Sequence, residues 1–499
     1  MNLSKNFLAG VLSSIWTSCV GLMIIPFYIK YLGLEAYGLI GFLVTLQAIF
    51  SFLDMGFTPA LSRQIARCKA LGDMYEARIL LGSLSVIYLF IAILIVVITI
   101  LLAPIIATYW LKSNSLNISS ISHAVMLMGF VIACRWPLGL YQGALIGMQR
   151  IDITSAVSVI MATISGVGGV GVVSYISPTI EALFIWQAVM AFIYTLIIRL
   201  FALNNLGWTS TNFKFSSLRH IWRFSIGMSG ITITGLILLQ MDKLLVSKMV
   251  DLVDFGKYAL AGTIASGLYV LMAPLFNVVY PRMSELVASE QLNKLIVFYK
   301  NSSYLFMAIF APLVVSTILF SGDFLVVWTG NKNLALSTTP ITQFIIIGTA
   351  LNGIMHFPYA LQLAYGATYL AIVINIILIA ITVPLTIVLT KYYGVIGGAG
   401  AWAILNGLYI LIGTVITHRV LLRGYGLTWI LHDILVPIVI SVVVITFGRV
   451  LLINTLDDSL YRLILSSVFA VISFIGIVFV SSISRNIFLK KINAFFGKE

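Results

Sequence analysis

The sequence predicts an all-α integral membrane protein of about 14 transmembrane helices. Three observations carry that reading. Of 499 residues, 61% are hydrophobic and 9% charged, where a soluble domain carries about 25% charge. Mean hydropathy is +1.09. Apolar runs of about 20 residues recur from end to end, twice the length of a barrel strand. This composition excludes a soluble enzyme and a disordered chain. The 39 glycines, against 12 prolines, fit helices packed closely in lipid.

The runs fall at about 7–29, 37–60, 79–103, 121–147, 151–177, 180–202, 224–248, 256–281, 299–321, 339–362, 365–390, 395–418, 430–452 and 461–483. The first, after Lys5, contains Pro26 and exceeds the roughly 7–15 apolar residues of a cleaved signal. Loops are short, the longest near 104–120, 203–223 and 282–298, and no soluble domain interrupts the chain. Alternate loops carry the positive charge. One side holds 19 Lys and Arg, among them Arg63, Arg67, Lys69, Arg78, Arg150, Arg219, Arg223 and the tail Arg485–Lys498, and the other holds eight. The positive-inside rule then places both termini in the cytoplasm. Most of the +13 net charge therefore faces anionic lipid, with no nucleic-acid partner. Trp110 and Trp328 near outer ends, and Trp208, Trp222 and Trp429 near inner ends, read as interface anchors.

Three local resemblances recur at nearly one offset. Tyr37-Gly38 and Phe255-Gly256 lie 218 residues apart, as do Trp110 and Trp328, and Arg135-Trp136-Pro137 precedes His356-Phe357-Pro358 by 221. These matches point to two parallel six-helix lobes, residues 1–205 and 206–420, followed by two C-terminal helices and a basic tail in 421–499. Chance matching in a biased composition is the plainer alternative.

Ionisable residues inside a span cost about 3 kcal/mol or more, so each is a candidate for function. Arg135 sits mid-run beside Cys134 and Trp136, just before Pro137. Its planar fork suits a phosphate or pyrophosphate; snorkelling, or bonding to backbone freed by Pro137, is the alternative. His356, its counterpart in the repeat, is expected to face it across a central cavity, or else to be a satisfied structural histidine. Asp242 and Lys243 adjoin on the seventh run, about 100° apart around the helix, so at least one faces water or a partner helix. Asp54, in Leu53-Asp54-Met55-Gly56-Phe57, is a candidate for coupling or gating along with Asp242; contact with the basic stretch Arg63–Lys69 or capping of a helix end is the bland reading. Arg282 is either a headgroup-binding residue or an inner-face anchor.

Other signals carry less. Gly166-Val167-Gly168-Gly169-Val170-Gly171 matches G-x-G-x-x-G but lies inside an apolar run, where close helix packing explains it better than a dinucleotide. No P-loop, H-E-x-x-H or G-x-S-x-G occurs, and Cys19, Cys68 and Cys134 have no metal or disulfide spacing. No cofactor, no metal and no enzymatic activity are expected.

Pro26-Phe27-Tyr28-Ile29, Tyr31-Leu32-Gly33, Glu35, Tyr37-Gly38 and Phe52-Leu53-Asp54-Met55-Gly56, with Tyr141-Gln142-Gly143-Ala144-Leu145-Ile146-Gly147-Met148-Gln149-Arg150, resemble the bacterial O-antigen flippases of the multidrug/oligosaccharidyl-lipid/polysaccharide exporter superfamily. The resemblance implies two six-helix lobes around a cavity. It also implies alternating-access translocation of an undecaprenyl-pyrophosphate-linked oligosaccharide, alongside membrane lipids and other glycan-assembly proteins. Arg135 would supply the cationic cavity, helped by Lys243, Arg282 and His356. The rival readings are a lipid II flippase and an ion-coupled multidrug antiporter of the same superfamily, the latter expecting an acidic cavity.

Overall fold

A computed structural model describes residues 3–54, 56–207 and 215–480. Every named element among them is helical. The chain divides into two compact units, residues 1–256 and 257–499. The tail 485–498, Trp208 and Lys214 lie outside the described residues, as do the side chains of Lys5, Arg219, Trp222 and Arg223.

The first unit contains α1 (Leu3–Leu32), α2 (Leu34–Phe50), α3 (Phe57–Leu71), α4 (Met74–Ile105), α5 (Ile118–Gly147), α6 (Ile151–Gly171), α7 (Ile180–Leu206), α8 (Phe215–Met249) and the start of α9 (Leu252–Ser266). Its core packs α5 against α4 and α7, and α1 against α6. On α4 the small and medium residues Ala77, Leu81, Leu84, Tyr88, Ala92, Ile95, Thr99 and Ala103 are buried. Leu89, Phe90, Ile93, Val97 and Leu101 are exposed on the other faces. A stripe of exposed large apolar residues this long is stable only against lipid.

Local chemistry sets the junctions. Gly72 ends α3 in the left-handed region with φ 75, and the backbone N–H groups of Gly72 and Asp73 donate to Lys69 and Cys68, the glycine-closed helix end. Asp73 then accepts from the Glu76 N–H at 3.1 Å and starts α4. Arg78 reaches back from α4 and donates to the Leu206 carbonyl at the end of α7, where a cation meets the negative end of the helix dipole. Glu35 is buried and accepts from the Ser113 and Ser115 hydroxyls and from the Asn114 and Ser115 N–H groups, which fixes the loop after α4. That loop also pairs with the α8–α9 junction: Leu252 N–H donates to the Lys112 carbonyl at 2.8 Å and Trp110 Nε1 to Ser247 at 3.1 Å.

The repeat-related glycines meet each other's helix. A Cβ on Gly38 would strike the Leu252 carbonyl, and one on Gly256 would strike the Leu34 carbonyl. The two contacts exchange under the same 218-residue offset, as a local two-fold crossing requires. The Gly166–Gly171 stretch is helical, with Gly166 against Val20, Gly168 against Trp186 and Gly169 against Tyr28, so close packing accounts for it.

The second unit continues with α10 (Tyr269–Ala288), α11 (Leu292–Leu319), α12 (Ser321–Thr329), α13 (Lys332–Ile354), α14 (His356–Ala364), α15 (Thr368–Leu408), α16 (Thr414–Leu421), the single turn α17 (Gly426–Thr428), α18 (Val436–Thr455) and α19 (Ser459–Val480). A wide π-helical segment, Trp429–Leu435, leads into α18. The C-terminal pair α18–α19 docks on α11. Arg462 of α19 ties it to α12 through a 3.2 Å ion pair with the buried Asp323; neither Asp457 nor Asp458 is the side-chain partner. Trp429 is fully buried, not an interface anchor, because its Nε1 donates to Ser303 inside the unit at 2.8 Å.

Eleven helical stretches among the described residues are long and apolar enough to span a bilayer, or twelve if the pair Leu252–Ser266 and Tyr269–Ala288, bent by 42°, is one broken span. Runs 365–390 and 395–418 are counted there as one stretch, Thr368–Leu421, whose 54 residues break at Gly394 with φ 58 and ψ −142 and are long enough for two spans. Run 224–248 falls within α8, whose side chains are only partly among those described. The first unit, ending at residue 256, extends past the expected repeat boundary at 205/206.

Gly38→Ala is expected to destabilise the protein by about 1–3 kcal/mol through overpacking. In detergent melts it should unfold at lower temperature than Gly407→Ala, whose added Cβ meets nothing within 4 Å; equal melting would show that the crossing is loose. Cys68 is buried, and that burial, with the nearby Glu76 and Asp73 carboxylates, pushes its thiol above the ordinary range. It should alkylate slowly at neutral pH, and faster as pH rises and thiolate forms. Mass spectrometry after maleimide labelling reads the site; fast, pH-independent labelling would show the thiol to be open.

Candidate functional site

The first unit holds a cavity of about 570 Å³. Five helices each turn one face to it at i, i+3, i+4, i+7 spacing: Ser13, Thr17 and Val20 of α1, Ile40, Leu43, Val44 and Gln47 of α2, Val131, Arg135, Leu138 and Gln142 of α5, Ser158, Met161, Ala162 and Ser165 of α6, and Gln187, Met190, Ala191 and Tyr194 of α7. Helices whose outer faces meet lipid thus carry polar groups on the inner one, the arrangement of a wet passage through a membrane protein.

Arg135 is the single charged residue lining this cavity, with no carboxylate among the described lining residues. It stands mid-helix, and its neighbour Trp136 turns away to pack on Tyr88 with ring centroids 5.8 Å apart. Pro137 removes one N–H from α5 and frees the Ala133 carbonyl, while Thr195 Oγ1 of α7 donates to the neighbouring Cys134 carbonyl. Arg135 itself lines the cavity. Around it the polar groups are neutral. Gln142 Nε2 donates to the Tyr194 hydroxyl at 3.0 Å, and Ser158 meets that hydroxyl at 2.5 Å. Gln47 and Gln187 add two further amides. A fork of N–H donors beside amides and hydroxyls can hold a phosphate group and sugar hydroxyls together.

The other sequence candidates are not at this cavity. Asp54 follows α2, where a short 3₁₀ turn, Ser51–Asp54, breaks the helix. Its Oδ1 accepts from Thr58 Oγ1 at 2.7 Å and from Tyr88 OH, so a hydroxyl pair, not the basic stretch Arg63–Lys69, holds the carboxylate in these contacts. Asp242 is buried and 3.6 Å from Lys243. Lys243 also donates to the Leu239 carbonyl at 2.8 Å and is a third exposed, so it is the member of the pair that faces outward. Arg282 is exposed and paired with Glu285 at 2.6 Å, the setting of a surface anchor. His356 opens α14 in the second unit, with Nδ1 3.2 Å from the Asn352 carbonyl and its ring edge-on to Phe276. Among the described residues no cluster of His, Cys, Asp and Glu could hold a metal ion.

Gln47, Gln142 and Gln187 carry no charge to mark them in the sequence. Their signal is an amide inside an apolar run, which costs several kcal/mol to strand in lipid without a partner; Gln142 and Gln187 also lie two turns from Arg135 and Tyr194 on the same helix faces.

A family profile described as “Polysaccharide biosynthesis protein” matches residues 3–287. A Shigella flexneri protein described as “Putative O-antigen transporter” is 20% identical over 406 residues, 81% of this chain and 95% of that protein. Two solved structures share the fold. The lipid II flippase MurJ, in an inward closed conformation, has a TM-score of 0.70 at 15% identity, over 97% of this chain and 99% of that one. An inward-facing multidrug resistance MATE family transporter of the MOP superfamily has a TM-score of 0.67 at 12% identity, over 81% and 94%. With all-helical units, lipid-facing apolar stripes and a profile match over more than half its length, the chain is a multi-pass membrane protein that belongs to the polysaccharide biosynthesis protein family.

Proposed function

We propose that the protein is a flippase that moves an undecaprenyl-pyrophosphate-linked oligosaccharide, an O-antigen or similar repeat unit, across the bacterial inner membrane by alternating access, with both termini in the cytoplasm. The observation that carries this reading is the cavity lined by one guanidinium, amides and hydroxyls without a carboxylate. Arg135 engages the pyrophosphate, and Gln47, Gln142, Gln187 and Tyr194 engage sugar hydroxyls. The polyprenyl tail stays in lipid. A cationic drug would want an acidic lining, so the antiporter reading is the weaker one. A lipid II flippase differs only in the glycan carried, and likeness to such a flippase in fold supports either substrate.

The pyrophosphate carries about two negative charges outward, and a membrane potential negative inside contributes about 2.3 kcal/mol per charge per 100 mV. Arg135 answers one of those charges while the head group is bound. Asp54 and Asp242 are held in reserve for coupling or gating: Asp54 touches a helix break, and Asp242 pairs with the adjacent lysine.

Arg135→Ala, expressed at wild-type level, should weaken substrate engagement by about 2 kcal/mol, roughly 30-fold, as expected for loss of charge-assisted hydrogen bonds. Surface glycan should fall accordingly, with Arg135→Lys intermediate because it keeps charge but loses the fork. Undiminished surface glycan in Arg135→Ala would remove the residue from the mechanism. In vesicles loaded with the lipid-linked glycan, collapsing the potential with an ionophore should slow translocation; a rate indifferent to potential would defeat the energetic account.

A further inference from the structure

The second unit buries a cluster of proton-carrying side chains that the cavity chemistry does not use. Tyr299 of α11 is 1% exposed, His418 of α16 is 3% exposed and Asp433 of the π-helical segment is 4% exposed. Among the described residues, three of their polar atoms have no hydrogen-bond partner: Tyr299 OH, His418 Nε2 and Asp433 Oδ2. The groups are neighbours. The Tyr299 and His418 rings meet edge to face with centroids 5.5 Å apart, and Trp429 closes the triangle at 5.5 Å from Tyr299 and 5.4 Å from His418. Asp433 follows Trp429 by one turn of the same segment, and the adjacent His432 ring lies beside Tyr304 with centroids 6.1 Å apart.

The hydrogen bonds that do exist define the chemistry. His418 Nδ1 lies 2.9 Å from the Thr414 carbonyl, which can only accept. That nitrogen therefore carries the proton, and Nε2 presents a buried lone pair. Asp433 Oδ1 lies 3.2 Å from Nδ1 of His432, whose side chain is 67% exposed. One carboxylate oxygen thus touches a surface imidazole while the other is buried.

We propose that Asp433, Tyr299 and His418 form a buried proton-binding site, loaded through His432. An imidazolium at His432 passes its Nδ1 proton to a carboxylate oxygen of Asp433, breaking N–H and forming O–H, and is left neutral. The loaded site has lost its buried negative charge. A phenol, an imidazole and a carboxylate are proton carriers, whereas a sodium ion would want five or six oxygens.

The surroundings decide the balance. α11 contributes Lys300, whose ammonium lies 5.8 Å from the Tyr425 ring, and Tyr304, whose hydroxyl donates to the Ile477 carbonyl of α19. Arg419 of α16 and Arg423 beyond it are exposed. α14 presents Phe357 to Tyr299 and Gln362 to Thr417, neither of them titratable. The site joins three elements at a π-helical turn, a deviation that recurs where proteins do work, so loading it alters how α16 and α18 are held to α11.

The test needs no glycan. Purified full-length protein in proteoliposomes is titrated from neutral to mildly acidic pH, with proton uptake and the infrared carboxylic-acid band recorded together. Wild type should take up about one proton per chain more than Asp433→Asn and show a buried carboxylic-acid band that the variant lacks. Tyr299→Phe, which keeps the ring, and His418→Gln should retain the uptake with a shifted midpoint, and Asp433→Glu should restore the band. Asp152→Asn, at an exposed surface pair, should leave the buried band intact. Equal uptake in wild type and Asp433→Asn, or an unshifted midpoint in both Tyr299→Phe and His418→Gln, overturns the proposal. Normal proton binding in a chain that fails to move lipid-linked glycan would count against the flippase reading and not against this site.

Discussion

A full positive charge halfway along an apolar helix, with no carboxylate lining the space around it, is the constraint on which the first unit depends. Arg135 can sit there only because α1, α2, α5, α6 and α7 each turn a polar face inward. Left against acyl chains it would cost several kilocalories per mole. The same requirement accounts for the packing outside the cavity. Trp136 is drawn off to Tyr88, Thr195 ties α7 to the Cys134 carbonyl of α5, and glycines such as Gly168 and Gly169 let α6 approach Trp186 and Tyr28 closely enough to close the wall. Packing in lipid relies on such close approach because no hydrophobic force drives helices together there.

Much of the fold was legible because lipid imposes a simple rule on sequence: backbone groups must be satisfied within the segment, so spans show as apolar runs. The break at Gly394 was legible too, as the gap between the runs 365–390 and 395–418, where Lys391 and Gly394 interrupt the apolar stretch. Of the candidate residues, Arg135 was visible because a charge in such a run stands out. Gln47, Gln142 and Gln187 escaped because amides lower hydropathy only slightly. Trp429 misled for a related reason. An indole near a span end has the composition of an interface anchor, and only its bond to Ser303 and its burial show otherwise. The pairings of Asp54 with Thr58 and Tyr88, and of Arg462 with Asp323, join residues distant in sequence or hidden in common residue types, and no spacing announces them.

The two units handle ionisable groups differently. The first exposes one cation to a cavity and buries Glu35 behind four hydrogen bonds. Among the described residues, the second keeps a tyrosine, a histidine and an aspartate under cover, with an orphaned atom on each, and uses the partly buried Arg462–Asp323 pair to tie α19 to α12. With α18 and α19 also docked on α11, the C-terminal pair is integral to that unit and not an appendage beyond the repeat.

The cavity wall has one more consequence. A glutamine amide offers a donor and an acceptor on a rotor, and serine, threonine and tyrosine hydroxyls swivel as well. Such a wall answers a sugar ring whichever way its hydroxyl groups point, so it registers polarity and not stereochemistry. On the flippase reading, an epimer exchanged or a branch altered upstream still meets a partner at every position, and cell-surface carbohydrates can diversify while their exporter stays the same.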